Sequence, residues 1–274
     1  MKREALFDTN VVRSLSYVEL EAVNKRYRAR WKLTASPITF LELLLRARES
    51  HGFAGLRKLR FFDLRQSPFD EVLHRAGKPM AHKWWTTNSA IAAKVIRIAC
   101  SSRDAEDFLK RTFHFDNHQY TIQEFSSFAA LQLRALYNEF STLIDMLKTD
   151  IPRGRPDARQ MMRFSVGMAT ELARSRNLRP EHLLDSFHFY TIYVFAKAVS
   201  NLGSSSPVQT NDSEDSLIAL HVRLTRDLTF VTSDKRFSDA LLLGLNTLLD
   251  SASGHLRSNP LTIMTFEQFK RAGH

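Results

Sequence analysis

The sequence predicts an α/β protein whose parallel sheet is split between the two ends of the chain by a long helical insertion. Three observations carry this. Near the N-terminus, short apolar runs are each followed by a helical periodicity, and the same alternation returns in the last quarter of the chain. Between them, from Lys78 to about Asn201, strand-like runs give way to long helical patterns. Parallel neighbours need crossover connections, so strands alternating with helices imply a parallel sheet. The expected organisation is a core in two parts, residues 1–78 and 203–274, around an all-helical insertion over 79–202.

The first strand is Ala5–Phe7, stopped by Asp8–Thr9–Asn10; Val11, Val12, Leu15, Val18 and Leu20 then recur at helical spacing. Leu33–Ser36 is the second strand, and Pro37 opens a helix carrying Phe40, Leu41, Leu43, Leu44 and Leu45. Leu59–Leu64 is the third, followed by Pro68 and a helix over Glu71–Ala76. The inserted helices are read over Ser89–Ala99, Phe125–Leu147, Ala158–Ser175 and Pro180–Ser200, with Pro and Arg marking breaks at Thr149–Pro156 and Asn177–Pro180. Gly203–Asp215 reads as a polar linker into a helix over Ser216–Leu224. Leu228–Thr232 is a β-branched and aromatic strand, Ser233–Arg236 a turn and Phe237–Leu249 a helix. Leu261–Thr265 and Phe266–Arg271 form the last strand and helix.

With 274 residues and 43% hydrophobic composition the chain can fill a substantial core. Its formal charge of +10 favours a polyanion, with nucleic acid the default and an acidic partner protein the rival. The single cysteine, Cys100, excludes an intramolecular disulfide and a cysteine-built zinc site; it fits a reducing cytosol and reads as a small apolar residue on a buried helix face. MKREALFD has no signal-peptide core, and Lys94 and Arg97 interrupt the apolar run Ile91–Cys100. A cytoplasmic protein without membrane insertion is therefore expected.

In a parallel sheet all strands end at one edge, so residues just beyond them converge. Asp8 ends the first strand, Glu42 lies early in the helix after the second, Asp215 opens a helix of the returning half, and Asp234 follows Leu228–Thr232. Clustered carboxylates suit Mg2+ or Mn2+, hard cations that take oxygen ligands and stabilise the charge of phosphoryl displacement. Each residue also has a local reading. Asp8 could cap a helix, Glu42 could close a capping box with Thr39, Asp215 could sit in a first turn capped by Asp212, and Asp234 could shape a turn. Their common edge favours the functional reading.

ALFDTNVV, SPITFLELL, EDSLIALH and LTFVTSDKRF, in this order and with LTIMTFEQF at the end, resemble the PIN-domain nucleases, above all the VapC-type toxin ribonucleases. The matches cover roughly residues 4–75 and 211–271. The resemblance implies a Rossmann-like three-layer fold, Mg2+ or Mn2+, and an endoribonuclease in which Asp8, Glu42, Asp215 and Asp234 are catalytic metal ligands supported by Asn10 and Thr232. Asp212 and Glu214 stay open as alternates to Asp215. A toxin would imply an antitoxin or inhibitor protein. Compact toxins of this family lack the helical block, which is read as a substrate-gripping cap, a homodimer surface or a built-in replacement for an antitoxin.

Arg65, Lys235 and Arg236 follow strands at the carboxylate edge and are candidates for holding RNA phosphates. RYRARWK, Arg26–Lys32, interleaves aromatics with cations but should lie at the opposite edge. Arg153, Arg155, Arg159 and Arg163 could extend an RNA track or form a solvated helix face. His114 and His118 flank Asp116 at a spacing that places both rings on one helix face, with packing or surface roles favoured over zinc. Trp84 and Trp85 read as core or interface anchors. Two further readings remain: a PIN-like scaffold with little catalysis that binds RNA or protein, and a nuclease directed at DNA.

Overall fold

A computed structural model describes residues 2–68, 85–151, 158–202, 208–223, 227–251 and 261–272. The expected helix Glu71–Ala76, and Trp84, Arg153 and Arg155, lie outside these residues.

The sheet is parallel and five-stranded. Its strands are β1 (Arg3–Phe7), β2 (Trp31–Ala35), β3 (Asp63–Leu64), then β6 (Leu228–Val231) and β7 (Leu261–Met264), in the order β3-β2-β1-β6-β7. From β1 the chain moves outward to β2 and β3 and returns on the other side through β6 and β7. The strand order therefore reverses between β1 and β6, and the crevice beyond the carboxyl ends of these two strands is where such sheets place ligands.

The first helical stretch divides in two. Asp8 starts α1 (Thr9–Ser14), and Ser16 starts α2 (Tyr17–Tyr27) with a capping box in which its hydroxyl and backbone exchange hydrogen bonds with Glu19. Ser36 caps α3 (Pro37–Leu45), its hydroxyl accepting from the Ile38 amide. Next comes α4 (Ser50–Lys58). The expected strand Leu59–Leu64 is short: Leu59–Phe61 coil into a 3-10 turn, and only Asp63 and Leu64 pair with β2.

The middle of the chain is not all helical. After α5 (Ser89–Ser101) and α6 (Ala105–Lys110), Thr112–Phe115 and His118–Thr121 form an antiparallel hairpin, β4 and β5. Asp116 and Asn117 both take positive φ at its tip, as a two-residue turn matched to strand twist requires. This corrects the reading of the two histidines. His114 pairs with Gln119 and His118 with Phe115, so their rings project from opposite faces of a ribbon and share no helix face. Beyond the hairpin run α7 (Ile122–Asp150), α8 (Ala158–Arg176) and α9 (Pro180–Ser200).

The expected polar linker is also corrected, because α10 spans Thr210–Ala219 and so begins before Asp215. Asp212 accepts from the Gln209 backbone amide, making the polar run TNDSED the opening turns of a helix. Last come α11 (Lys235–Ser251) and α12 (Phe266–Ala272).

One hydrophobic core runs through both parts of the chain. Phe7 of β1 meets Phe62, Phe266 and Phe269, which ties the sheet to its outer helix layer. Phe40 of α3 lies 6.3 Å from Phe125 of α7, and Phe237 of α11 stands edge-on to Tyr193 of α9 at 5.4 Å. The helical block is thus packed into the α/β core and not merely strung from it. No helix among the described residues is long and apolar enough to cross a membrane.

Candidate active site

Asp8 leaves β1 where the strand order reverses, and it is buried. Its Oδ1 accepts from the Thr9 amide at 2.7 Å, which is the helix cap, while Oδ2 accepts from the Thr232 hydroxyl at 2.6 Å. The cap and the cluster therefore use different oxygens of one carboxylate. Thr232, beyond β6, also accepts from the Asn10 side-chain amide at 3.4 Å and from the Asp234 backbone amide at 2.9 Å. Asn10 Oδ1 in turn accepts from the Ser233 hydroxyl at 3.1 Å. Asp234 caps α11 by accepting from the Phe237 amide at 2.9 Å. The expected supports, Asn10 and Thr232, thus join the turn after β1 to the turn after β6.

The second group comes from α3 and α10. Glu42 does not close a capping box with Thr39. Ser36 is the cap of α3, and Glu42 instead lies beside Thr9, whose hydroxyl donates to that of Thr39 at 3.2 Å. Glu214 lies beside Glu42, and hydrogen bonding between the two side chains is among the influences on its titration. Its neighbour Asp215 turns toward Asp8 and Asp234 and accepts from the Tyr193 hydroxyl at 3.2 Å. Asp212 forms an ion pair with Lys197, so the three acids at the start of α10 have separate partners. Both open alternates are accounted for: Glu214 joins the cluster beside Asp215, and Asp212 is engaged by Lys197.

The electrostatics tie the two groups together. Burial pushes Asp8 up to about 6, with the charge of Asp234 adding to it and the Thr232 and Thr9 hydrogen bonds opposing it. Glu42 is raised well above the usual carboxyl range by burial, then by the charge of Glu214, with Asp8 and Asp215 adding less. Asp215 is raised well above its range by burial and by Asp8 and Asp234, against the pull of Lys197 and Tyr193. Burial brings Glu214 to about 6, opposed by its bond to Glu42 and by Arg46. Carboxylates from four distant segments thus lie near enough beyond the ends of β1 and β6 for their charges to be felt between them.

Among the described residues, no three of these groups already surround a common point as ligands of one ion. The donor set nevertheless fits a hard divalent cation, being all oxygen, largely withdrawn from water and repelled by its own like charges. The residues that could contribute oxygens to one are Asp8, Asp215 and Asp234, with Glu42 and Glu214 on the adjoining helices.

The expected phosphate-holding residues divide. Lys235 and Arg236 are exposed at the start of α11, directly after Asp234. Arg65 is buried in an ion pair with Glu4 at 3.3 Å, directed toward the start of β1 and away from the carboxylate edge. Arg159 and Arg163 are exposed on α8, and Cys100 is half-buried on α5.

Tyr193 and Lys197 were not singled out by the sequence. They lie on α9 at an i, i+4 spacing, and the Lys197 ammonium lies 5.3 Å over the Tyr193 ring. Burial and the charge of Asp215 raise the Tyr193 phenol strongly, so it stays a hydrogen-bond donor. No family model matches this chain, and neither a curated protein nor a solved structure matches it.

Proposed function

We propose that this protein is a Mg2+- or Mn2+-dependent endoribonuclease of the PIN type. The observation that carries the reading is the hydrogen-bonded join of Asp8 and the Asp234 turn through Thr232 beyond the ends of β1 and β6, with Asp215 and Glu42 near enough to feel the charge of Asp8. The net charge of +10 supports it, because cations attract a phosphodiester backbone that the carboxylates alone would repel.

When bound, the divalent ion supplies a Lewis acid that stabilises negative charge on phosphate oxygens and lowers the pKa of a coordinated water. The chain's own residues set the geometry. Thr9 and Thr232 fix the orientation of the Asp8 carboxylate from its two sides. Asn10 and Thr232 hold the Asp234 turn against it. Lys235 and Arg236 present charge to the backbone at the rim, and Glu42 lies within reach of the charges of Glu214, Asp8 and Asp215.

The test is cleavage of RNA by the purified protein. Chelator should stop cleavage, and manganese or magnesium should restore it. Asp8→Asn and Asp234→Asn should each reduce turnover by at least about a hundredfold with the fold intact by circular dichroism. Cleavage that survives chelation, or full activity in either variant, would refute the reading. Salt-sensitive RNA association without metal-dependent turnover would identify a binding scaffold instead, and preference for DNA would reassign the substrate.

A further inference from the structure

We infer that the opposite edge of the sheet carries a second, phosphate-binding site that does not depend on the carboxylate cluster. A cavity of about 350 Å³, within the size range of small-ligand pockets, opens beside the starts of β1, β2 and β3. Its walls include Lys2, Arg28, Lys32 and Arg60 against one carboxylate, Asp63. All four cations are exposed at their positions, and among the described residues none of them forms an ion pair. Unpaired like charges around one concavity repel one another, and an anion seated among them relieves that repulsion.

The aromatic lining decides which part of a ligand is read. Trp31 is buried, with Phe269 against it at 5.2 Å and the Arg3 guanidinium over its ring at 5.8 Å. Phe62 is buried against Phe7, while Phe61 packs with Tyr17 and carries Arg60 over its ring at 4.8 Å. These rings are committed to walls and are not platforms on which a base would stack. Recognition falls to the cations, so the site takes phosphate groups without regard to base sequence. The ligand is a phosphodiester backbone or a free polyphosphate, which present the same charged oxygens.

The experiment measures binding of tripolyphosphate and of a short mixed-sequence single-stranded DNA to the full chain with chelator present. It uses wild type, Arg28→Gln/Lys32→Gln, and the charge-matched control Arg103→Gln/Arg134→Gln, whose residues are exposed and do not line the cavity. Losing two charge-assisted contacts should weaken binding about tenfold or more in the first variant. For the DNA it should also flatten the dependence on salt by roughly 1.4 in log–log slope, at about 0.7 per phosphate contact. The control should bind within about twofold of wild type. Response of the DNA alone assigns the site to a nucleic-acid backbone, and response of tripolyphosphate assigns it to free polyphosphate; either supports the site. Equal binding by the pocket variant and wild type, or equal loss in the control, overturns it. Binding is read with chelator present and without turnover, so a failure of the ribonuclease reading leaves this result standing.

Discussion

Under the proposed reading, the acidic cluster should make stability depend jointly on pH and on divalent metal. Burial lifts the Asp8 carboxyl from 3.8 to about 6, so the folded state holds this proton more tightly than the unfolded chain does. A raised carboxyl contributes stability that is fully present below its unfolded pKa and is lost as pH rises toward the folded value. From pH 4 to pH 7.5 the loss is about 2.4 kcal/mol, the part that remains above pH 4 of about 3 kcal/mol at 1.36 kcal/mol for each unit between the two values. At roughly 2–4 °C per kcal/mol this is about 5–10 °C in melting temperature. A cation held by the ionised cluster restores about 2.7 kcal/mol when its free concentration is about a hundred times its dissociation constant. The assay is differential scanning fluorimetry at pH 5 and 7.5, in chelator and in manganese. Protons compete with metal for the same oxygens, so the manganese-induced rise should be large at pH 7.5 and small at pH 5. A rise of equal size at both pH values, or none at 7.5, would refute the reasoning, whatever the background pH dependence of the ten histidines and the basic surface.

Two further predictions concern the join between the helical block and the site. Tyr193→Phe removes the hydrogen bond to Asp215 but keeps the ring against Phe237, so stability should change by only about 0.5–1.5 kcal/mol. Manganese affinity measured by calorimetry should nevertheless fall about tenfold, and unchanged affinity would remove Tyr193 from the site. Phe237→Ala empties a fully buried position between Phe230 and Tyr193 and should cost about 3–5 kcal/mol. Denaturant unfolding followed by both fluorescence and circular dichroism should shift as one transition; separate shifts would show that the block folds independently of the sheet.

Much of the α/β frame was legible because its strands are short apolar runs closed by polar stops. Asp8 after Ala5–Phe7 and Thr232–Asp234 after Leu228–Val231 are readable in this way, and parallel pairing brings them to one edge. What failed did so for local physical reasons. Ser, Thr, Asn and Asp favour caps and turns, so TNDSED resembles a loop although the Gln209–Asp212 capping box makes it a helix start. The hairpin strands are four residues each, too brief for alternation to stand out beside long helices. Its signal was the Asp116–Asn117 pair, which tolerates positive φ, between Phe115 and the β-prone Tyr120. Arg65 looked available because it follows a strand; only the register that brings it beside Glu4 reveals its burial.

Tyr193 and Lys197 were illegible for a different reason. A tyrosine within the apolar run FHFYTIYVF reads as core, and it is core: its ring packs against Phe237 while its hydroxyl reaches Asp215. No periodicity separates a buried ring that only packs from one whose polar end meets an acid in another segment. The same helix places His188 Nε2 3.1 Å from the Gly244 carbonyl of α11, so α9 is fixed to the core at several points along its length. A segment introduced only as an external cap would leave Asp215 held by its own helix alone. Here the orientation of that carboxylate depends on α9, and whatever shifts α9 also shifts the acidic crevice.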